Sequence, residues 1–359
     1  MPAPHRHYVA ALVALAATTA SAQPVPLDSL ARAHAETAVL PSLVIGVVAD
    51  SQRVVVGVGD IHGAVPDAHT LYEIGSISKV LTSLALADAV TRGETTLDTP
   101  VAALLPDSAT VGAHAGGPIR LADLATHTSG LPKLPGDLES MPGFDGANPY
   151  AAYGPDRMLA ALAAFEPATA PGEAFAYSNW GAGLLGYALA YQADTTYDAV
   201  VRQRILDPLG LSETVTTVPD AWADRLAPAH SLFGLPTPHW DWTDALAGAG
   251  AWRSTPADLL TLVEALLAPE TTPLAEALAL ATAPHAEAPD LGGQIGLGWI
   301  LTSTPNGPFL WHNGMTGGSA SFVGVLPEAG VGVVVLTNRQ SSVDALGVDV
   351  LRRLLAVRS

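Results

Sequence analysis

The stretch LYEIGSISKVLTSLALADAV, residues 71–90, sets Ser76 three positions before Lys79, where a run of small and apolar residues begins. The chain holds 14 arginines and only two lysines, so a lysine on an apolar run calls for a chemical reason. At a helix start, side chains at i and i+3 share a face, and the hydroxyl and the amine can touch. A serine hydroxyl becomes a useful nucleophile once something takes its proton, and a desolvated lysine with a lowered pKa can do so. Free N–H groups at a helix N-terminus favour negative charge growing on an attacked carbonyl. One short stretch therefore offers nucleophile, base and half an oxyanion hole, which is acyl-transfer chemistry.

Two further motifs can complete it. In PGEAFAYSNWGAGLLG, Tyr177 and Asn179 fall at the start of a second helix about 100 residues on. A phenol can hold or pass a proton, and a carboxamide can hydrogen-bond a substrate amide. Read on its own, Tyr-Ser-Asn is also an ordinary helix cap with an aromatic neighbour. In FLWHNGMTGGSASF, His312, Asn313 and Gly314 sit where a strand enters a Gly-rich turn. Gly314 allows a close backbone approach, and the Met315 N–H can join that of Ser76 in an oxyanion hole.

These groups need elements to hold them. SLVIGVVAD and QRVVVGVGD read as a hairpin turning at Asp50 and Ser51, preceded by a helix over LDSLARAHAETA. Strands return late, in GLGWILT, PFLWHNG, SASFVGVLPE and GVGVVVLTN, before a final helix over about 342–357. From about 90 to 250 the pattern is Ala/Leu-rich helical pieces broken by Pro and Gly. Residues 131–152, LPKLPGDLESMPGFDGANPYAA, form a long turn-rich loop of the kind that carries function. Strands at both ends must pair across the insertion, because a half-buried sheet needs several strands. The expected organisation is an α+β sheet domain over 23–90 and 251–359 with an all-helical domain over 91–250.

Bulk composition excludes several classes. A net charge of −18 disfavours nucleic acid and anionic membrane surfaces as partners. Residues 1–22 read as a secretory signal: Arg6, an apolar run from about Tyr8 to Ala17, then a small-x-small site with cleavage after Ala22. No later run is long and apolar enough for a stable membrane anchor, and the expected location is periplasmic or extracellular. Without cysteine there is no disulfide framework and no thiolate metal site. GAGLLG, Gly181 to Gly186, matches GxGxxG, but it lies inside a helical pattern with no strand before it, so no nicotinamide cofactor is expected. His127 and the other histidines lack zinc-site spacing, and no GxSxG elbow appears. No cofactor is expected.

SxxK with a second polar triplet and a KTG-type strand is a signature of serine β-lactamases and penicillin-binding proteins. YEIGSISK resembles the nucleophile motif of the class C β-lactamase family, YSN its Tyr-x-Asn element and HNG its Lys-Thr-Gly strand. The likeness runs on through LATHTSGLP, ILDPLGLSET and GAGAWRSTPADLL and covers essentially the whole mature chain. It implies an antiparallel sheet flanked by N- and C-terminal helices, an inserted helical region and a site in the crevice between. It also implies Ser76 as the acylated nucleophile, Lys79 and Tyr177 as the proton-handling pair, and Asn179 as substrate ligand. The Ser76 and Met315 N–H groups would form the oxyanion hole, with Gly314 beside them.

His312 is the departure, since class C β-lactamases carry lysine there. Histidine at that place is similar to D-alanyl-D-alanine carboxypeptidases, D-aminopeptidases and related penicillin-recognising hydrolases. An imidazole offers a substrate carboxylate less fixed charge than an ammonium, and Arg339, in LTNRQ after the last strand, is the candidate substitute. Three functions follow: an acyl hydrolase acting on a β-lactam or a D-Ala-D-Ala-type peptidoglycan stem peptide; a carboxylesterase acting on small acyl esters; or a non-catalytic protein that binds cell-wall peptides.

Overall fold

The computed structural model describes residues 25–112, 116–167 and 169–358, and the signal expected over 1–22 lies outside them. Helix α1 (Leu27–Ala38) leads into a hairpin of β1 (Ser42–Ala49) and β2 (Gln52–Gly59). Both turn residues, Asp50 and Ser51, take positive φ, as a two-residue hairpin of right-handed twist requires. A short β3 (Tyr72–Glu73) precedes α2 (Ser78–Thr91). Then come α3 (Leu121–Ala125), α4 (Pro155–Ala164), α5 (Asn179–Gln192), α6 (Tyr197–Val201) and α7 (Asp207–Leu209). The chain returns through β4 (Arg253–Ser254), α8 (Pro256–Leu267) and α9 (Ala275–Thr282). It ends with β5 (Ala286–Ala288), β6 (Gly293–Ile295), β7 (Ile300–Thr304), β8 (Gly307–Met315), β9 (Ala320–Leu326), β10 (Val331–Thr337) and α10 (Asp344–Ala356).

The main sheet is antiparallel throughout, in the order β2-β1-β10-β9-β8-β7-β6-β5, so the two ends of the chain meet where β1 pairs with β10, Leu43 opposite Thr337. Alternation sends one set of side chains to each face. Val44, Leu310, Val323 and Leu336 join the larger core with α2, α5 and α8, while Ile45, Phe309, Phe322 and Val335 pack with residues of α1 and α10. Because β1, β9 and β10 are covered on both faces, they read as nearly unbroken apolar runs, which is why they are visible in the sequence. β3 and β4 pair with each other apart from the main sheet, Arg253 of β4 also bridging Val215, and with β5 and β6 they are two or three residues long, too short to carry a periodic signal. Among the described residues no helix is long and apolar enough to cross a membrane.

The GAGLLG segment lies inside α5, and its glycines serve packing. A Cβ on Gly183 would stand 2.8 Å from the Ala245 carbonyl oxygen, and one on Gly186 would stand 3.0 Å from the Cα of Gly248. The bare helix face lets residues 245–249 lie flat on α5. Gly183→Ala tests this: helix propensity would gain about 1 kcal/mol, but the backbone clash costs roughly 1–3 kcal/mol. Since backbone atoms yield little, urea unfolding should show a net loss of about 1–2 kcal/mol.

Candidate active site

Residues Gly75–Ile77 make one 3₁₀ turn that runs straight into α2. In a 3₁₀ turn, i and i+3 eclipse, and Lys79 Nζ lies 2.9 Å from Ser76 Oγ. The amine also donates to the Ala249 carbonyl at 2.7 Å, from the segment that packs on α5. Ser76 is half-buried and Lys79 is 1% exposed. From Ser78 to Ala89 every residue of α2 is buried, so its small and apolar composition suits a helix surrounded by protein. Burial, and after it the charge of Lys133, holds Lys79 well below the ordinary lysine range. A neutral amine within hydrogen-bond distance of a hydroxyl can accept its proton.

Tyr177 completes the group. Burial raises the pKa of its phenol, against the opposing influence of the neighbouring Ser76 hydroxyl, so it stays protonated. Lys79 Nζ sits 5.0 Å from the Tyr177 ring centroid. His127 also packs against this ring, with centroids 4.3 Å apart. His127 is buried at a positive φ of 58°, and its Nδ1 accepts from the Ser178 N–H at 3.1 Å while its carbonyl accepts from Ala176 N–H at 2.7 Å. Burial, with Lys79 and His312 nearby, pushes its imidazole well below the ordinary value, which fits Nδ1 as an acceptor. Through these contacts His127 braces the Tyr177 segment.

Ser178 caps α5: its Oγ accepts from the Gly181 N–H at 2.8 Å and donates to the Pro132 carbonyl at 2.7 Å. The cap fixes Tyr177 before the helix and Asn179 as its first residue. The Asn179 side chain lies near the Tyr150 phenol and lowers its pKa against burial, and its Oδ1 is buried without a partner. A buried acceptor left open in this way costs stability unless a donor arrives.

The opposite wall is β8. His312 is buried on the same sheet face as Leu310, whereas Asn313 points the other way and donates to Asp344 of α10 at 2.7 Å. Two glycines press the nucleophile turn onto this strand. A Cβ on Gly314 would lie 1.9 Å from the Ile74 carbonyl oxygen. Gly75, at φ 49°, would set a Cβ 2.6 Å from Met315 N. Ser321 Oγ donates to the same Ile74 carbonyl at 2.8 Å. Ser76 and the Met315 N–H are thereby brought side by side.

Arg339 is not brought to this crevice. Its guanidinium donates to the carbonyls of Ala38 and Val39 at the end of α1 and of Leu232, at 2.6–3.0 Å. The carbonyls left open at a helix C-terminus attract a cation, and sequence position after a strand could not reveal that competition.

Several residues escape the motif reading. Glu73, three before Ser76, is 3% exposed. It accepts from Thr316 Oγ1 at 2.7 Å and from the Trp240 N–H at 2.8 Å, with Arg253 at 3.7 Å and His239 at 3.5 Å. Burial alone would raise its carboxyl, yet His239, Arg253 and Thr316 hold it below the usual range. Tyr150, in the 131–152 loop, stacks on Trp242 at 4.1 Å and meets Trp240 edge-on. Asn148 and Asp241 exchange hydrogen bonds at 2.7 and 2.8 Å, fastening the loop to that aromatic wall. The sequence signal was a carboxylate three residues before Ser76; its partners lie far along the chain, Thr316 a full 243 residues on.

A family model described as Beta-lactamase matches residues 27–357. The D-alanyl-D-alanine-carboxypeptidase/endopeptidase AmpH of Escherichia coli (strain K12) is 26% identical over 288 residues, 76% of this chain and 72% of that protein. Penicillin-binding protein 4 of Amycolatopsis lactamdurans is 28% identical over 317 residues, 83% and 81% of the two chains. A class C beta lactamase from Rhodobacter sphaeroides superposes with a TM-score of 0.78 at 25% identity, covering 92% of this chain and 99% of that one. A further class C beta-lactamase, at 21% identity and TM-score 0.79 over 92% of this chain and 94% of its own, has the same fold. With the match running from the first turn of α1 to the end of α10, and with the antiparallel α+β architecture that these neighbours have, the chain belongs to the beta-lactamase family.

Proposed function

We propose that this protein is a serine acyl hydrolase that forms an acyl-enzyme on Ser76 with a β-lactam or a D-Ala-D-Ala-type peptide and then hydrolyses it. The observation that carries the reading is the buried amine of Lys79, 2.9 Å from Ser76 Oγ. Neutral Lys79 takes the hydroxyl proton as Oγ attacks the carbonyl. The Ser76 and Met315 N–H groups hold the resulting oxyanion. Tyr177, kept protonated by burial and lying beside Ser76, passes a proton toward the leaving nitrogen as the C–N bond breaks. Water then attacks the ester and frees Ser76. Asn179 Oδ1, buried without a partner, receives the amide N–H of the substrate's acyl portion. Residues 1–22 support export, to the periplasm or beyond the cell.

A carboxylesterase using the same Ser76 and Lys79 is the second reading, and His312 favours it. An imidazole on β8 offers an anionic substrate less fixed positive charge than an ammonium. His312→Lys should accordingly raise kcat/KM for anionic β-lactams; unchanged kinetics would remove this role for position 312.

Intact-mass analysis of the mature protein with benzylpenicillin is the direct test. A penicilloyl adduct, or consumption of the drug, that vanishes in Ser76→Ala supports the acyl-enzyme. Neither event, with small esters still hydrolysed, would move the assignment to the esterase.

The sign of the pH dependence follows from the depressed Lys79. Below its folded pKa the amine is protonated and cannot act as base, so acylation should rise with pH through that value and level off far below the usual lysine titration. Lys79→Arg, which holds its proton at all such pH values, should lower acylation by roughly 10²–10⁴. A rate that instead falls as pH rises from 5 to 8 would exclude Lys79 as the base.

A further inference from the structure

The chain is strongly acidic, at −18, and its cations are nearly all spoken for. Every described arginine except Arg339 and Arg352 lies within 3.7 Å of a carboxylate. Lys133, the second of the two lysines, is different: it is exposed, and its ammonium has neither a carboxylate nor a hydrogen-bond partner among the described residues.

Its place in the fold is specific. The Lys133 carbonyl accepts from the Asn179 N–H at 2.9 Å and from the Trp180 N–H at 3.2 Å, and the preceding Pro132 carbonyl accepts from Ser178 Oγ at 2.7 Å. Residues 132–133 are therefore strapped across the start of α5, on the wall that carries Asn179 and opposite the β8 wall that carries His312. The charge of Lys133 also reaches Lys79, where it is the main influence after burial. With its backbone tied to the amides of Asn179 and Trp180 and its charge felt at Lys79, the ammonium stands on the Asn179 side of the Ser76–Lys79 pair. Beside it, the open Asn179 Oδ1 waits for an N–H donor.

We infer that Lys133 and Asn179 together form a subsite for the acyl side of the substrate, one that selects an acylamido group bearing a carboxylate. The amide N–H meets Asn179 Oδ1, and the carboxylate meets the Lys133 ammonium. A molecule this acidic repels anions at long range, so admitting one to the crevice requires a local unpaired cation. The inference rests on the acyl-enzyme reading above and adds a substrate class to it. The competing account is a lysine that only tunes Lys79, and the two part in their effect on substrate choice.

Benzylpenicillin and α-carboxybenzylpenicillin differ by one carboxylate on the acyl side chain and share the same reacting ring. Rates of Ser76 acylation, or kcat/KM where turnover is fast, are measured for both with wild type, Lys133→Gln and Lys133→Arg. Any change in the basicity of Lys79 affects both drugs alike and cancels in their ratio. The carboxylated-to-plain ratio should fall on the order of three- to tenfold in Lys133→Gln. It should hold in Lys133→Arg and shrink in wild type as salt rises. A ratio unchanged in Lys133→Gln overturns the subsite while leaving the acyl-enzyme standing. Wild type that neither acylates with nor consumes either drug overturns both.

Discussion

An amine taken out of water next to a hydroxyl is the constraint around which this molecule is organised. Lys79 has one exposed-side partner, Ser76, and one interior partner, the Ala249 carbonyl; the rest of its surroundings are protein. Burial on that scale strongly disfavours the ammonium, and no carboxylate is placed near it to restore the charge. A carboxylate would have made a stable ion pair and an unreactive lysine. The environment instead disfavours the protonated amine.

The surrounding elements can be read as supports for that arrangement. The residues that bring Ala249 to Lys79 lie against α5 because that helix presents glycines there. The Ser76 turn lies against β8 because Gly75 and Gly314 leave no side chain between them. Glu73 joins the two sides: through Thr316 it holds the turn after β8, and through the Trp240 amide it holds the aromatic wall where Tyr150 docks. Thr316 Oγ1 in turn accepts from the amides of Gly318 and Ser319, so the turn that follows Met315 is tied from within. A buried carboxylate satisfied from several directions gives geometric definition more than net stability. That definition fixes the turn after β8 beside the one that carries Ser76.

Electrostatically, the protein separates its surface from its site. Most exposed arginines pair with neighbouring acids, several at helical i,i+4 spacing, and such pairs contribute little each. The crevice, by contrast, gathers Lys79, His127 and His312 in low-dielectric surroundings, with the charge of Lys133 felt at Lys79. The charge preference of the site is therefore set locally, within the long-range field of an acidic surface.

Much of the fold was legible in the amino-acid sequence for reasons that are local. The hairpin at Asp50 and Ser51, the late strands and the terminal helices are long apolar runs or periodic patterns whose burial demands them. The spacing of Ser76 and Lys79 determined their contact, since a single helical turn connects them whatever surrounds it. The cap at Ser178 likewise set Tyr177 and Asn179 at a helix start. Tertiary structure decided what depends on residues meeting from distant parts of the chain. It sent Arg339 to the end of α1, turned Asn313 to the far face of the sheet, and gave GAGLLG a packing role inside a helix. It also made partners of Glu73, Thr316 and Trp240, and tied the Lys133 carbonyl to the first amides of α5. Periodicity and motif spacing encode which face a side chain takes on its own element; which other element that face meets is set by sheet register and close packing, and no local pattern carries it.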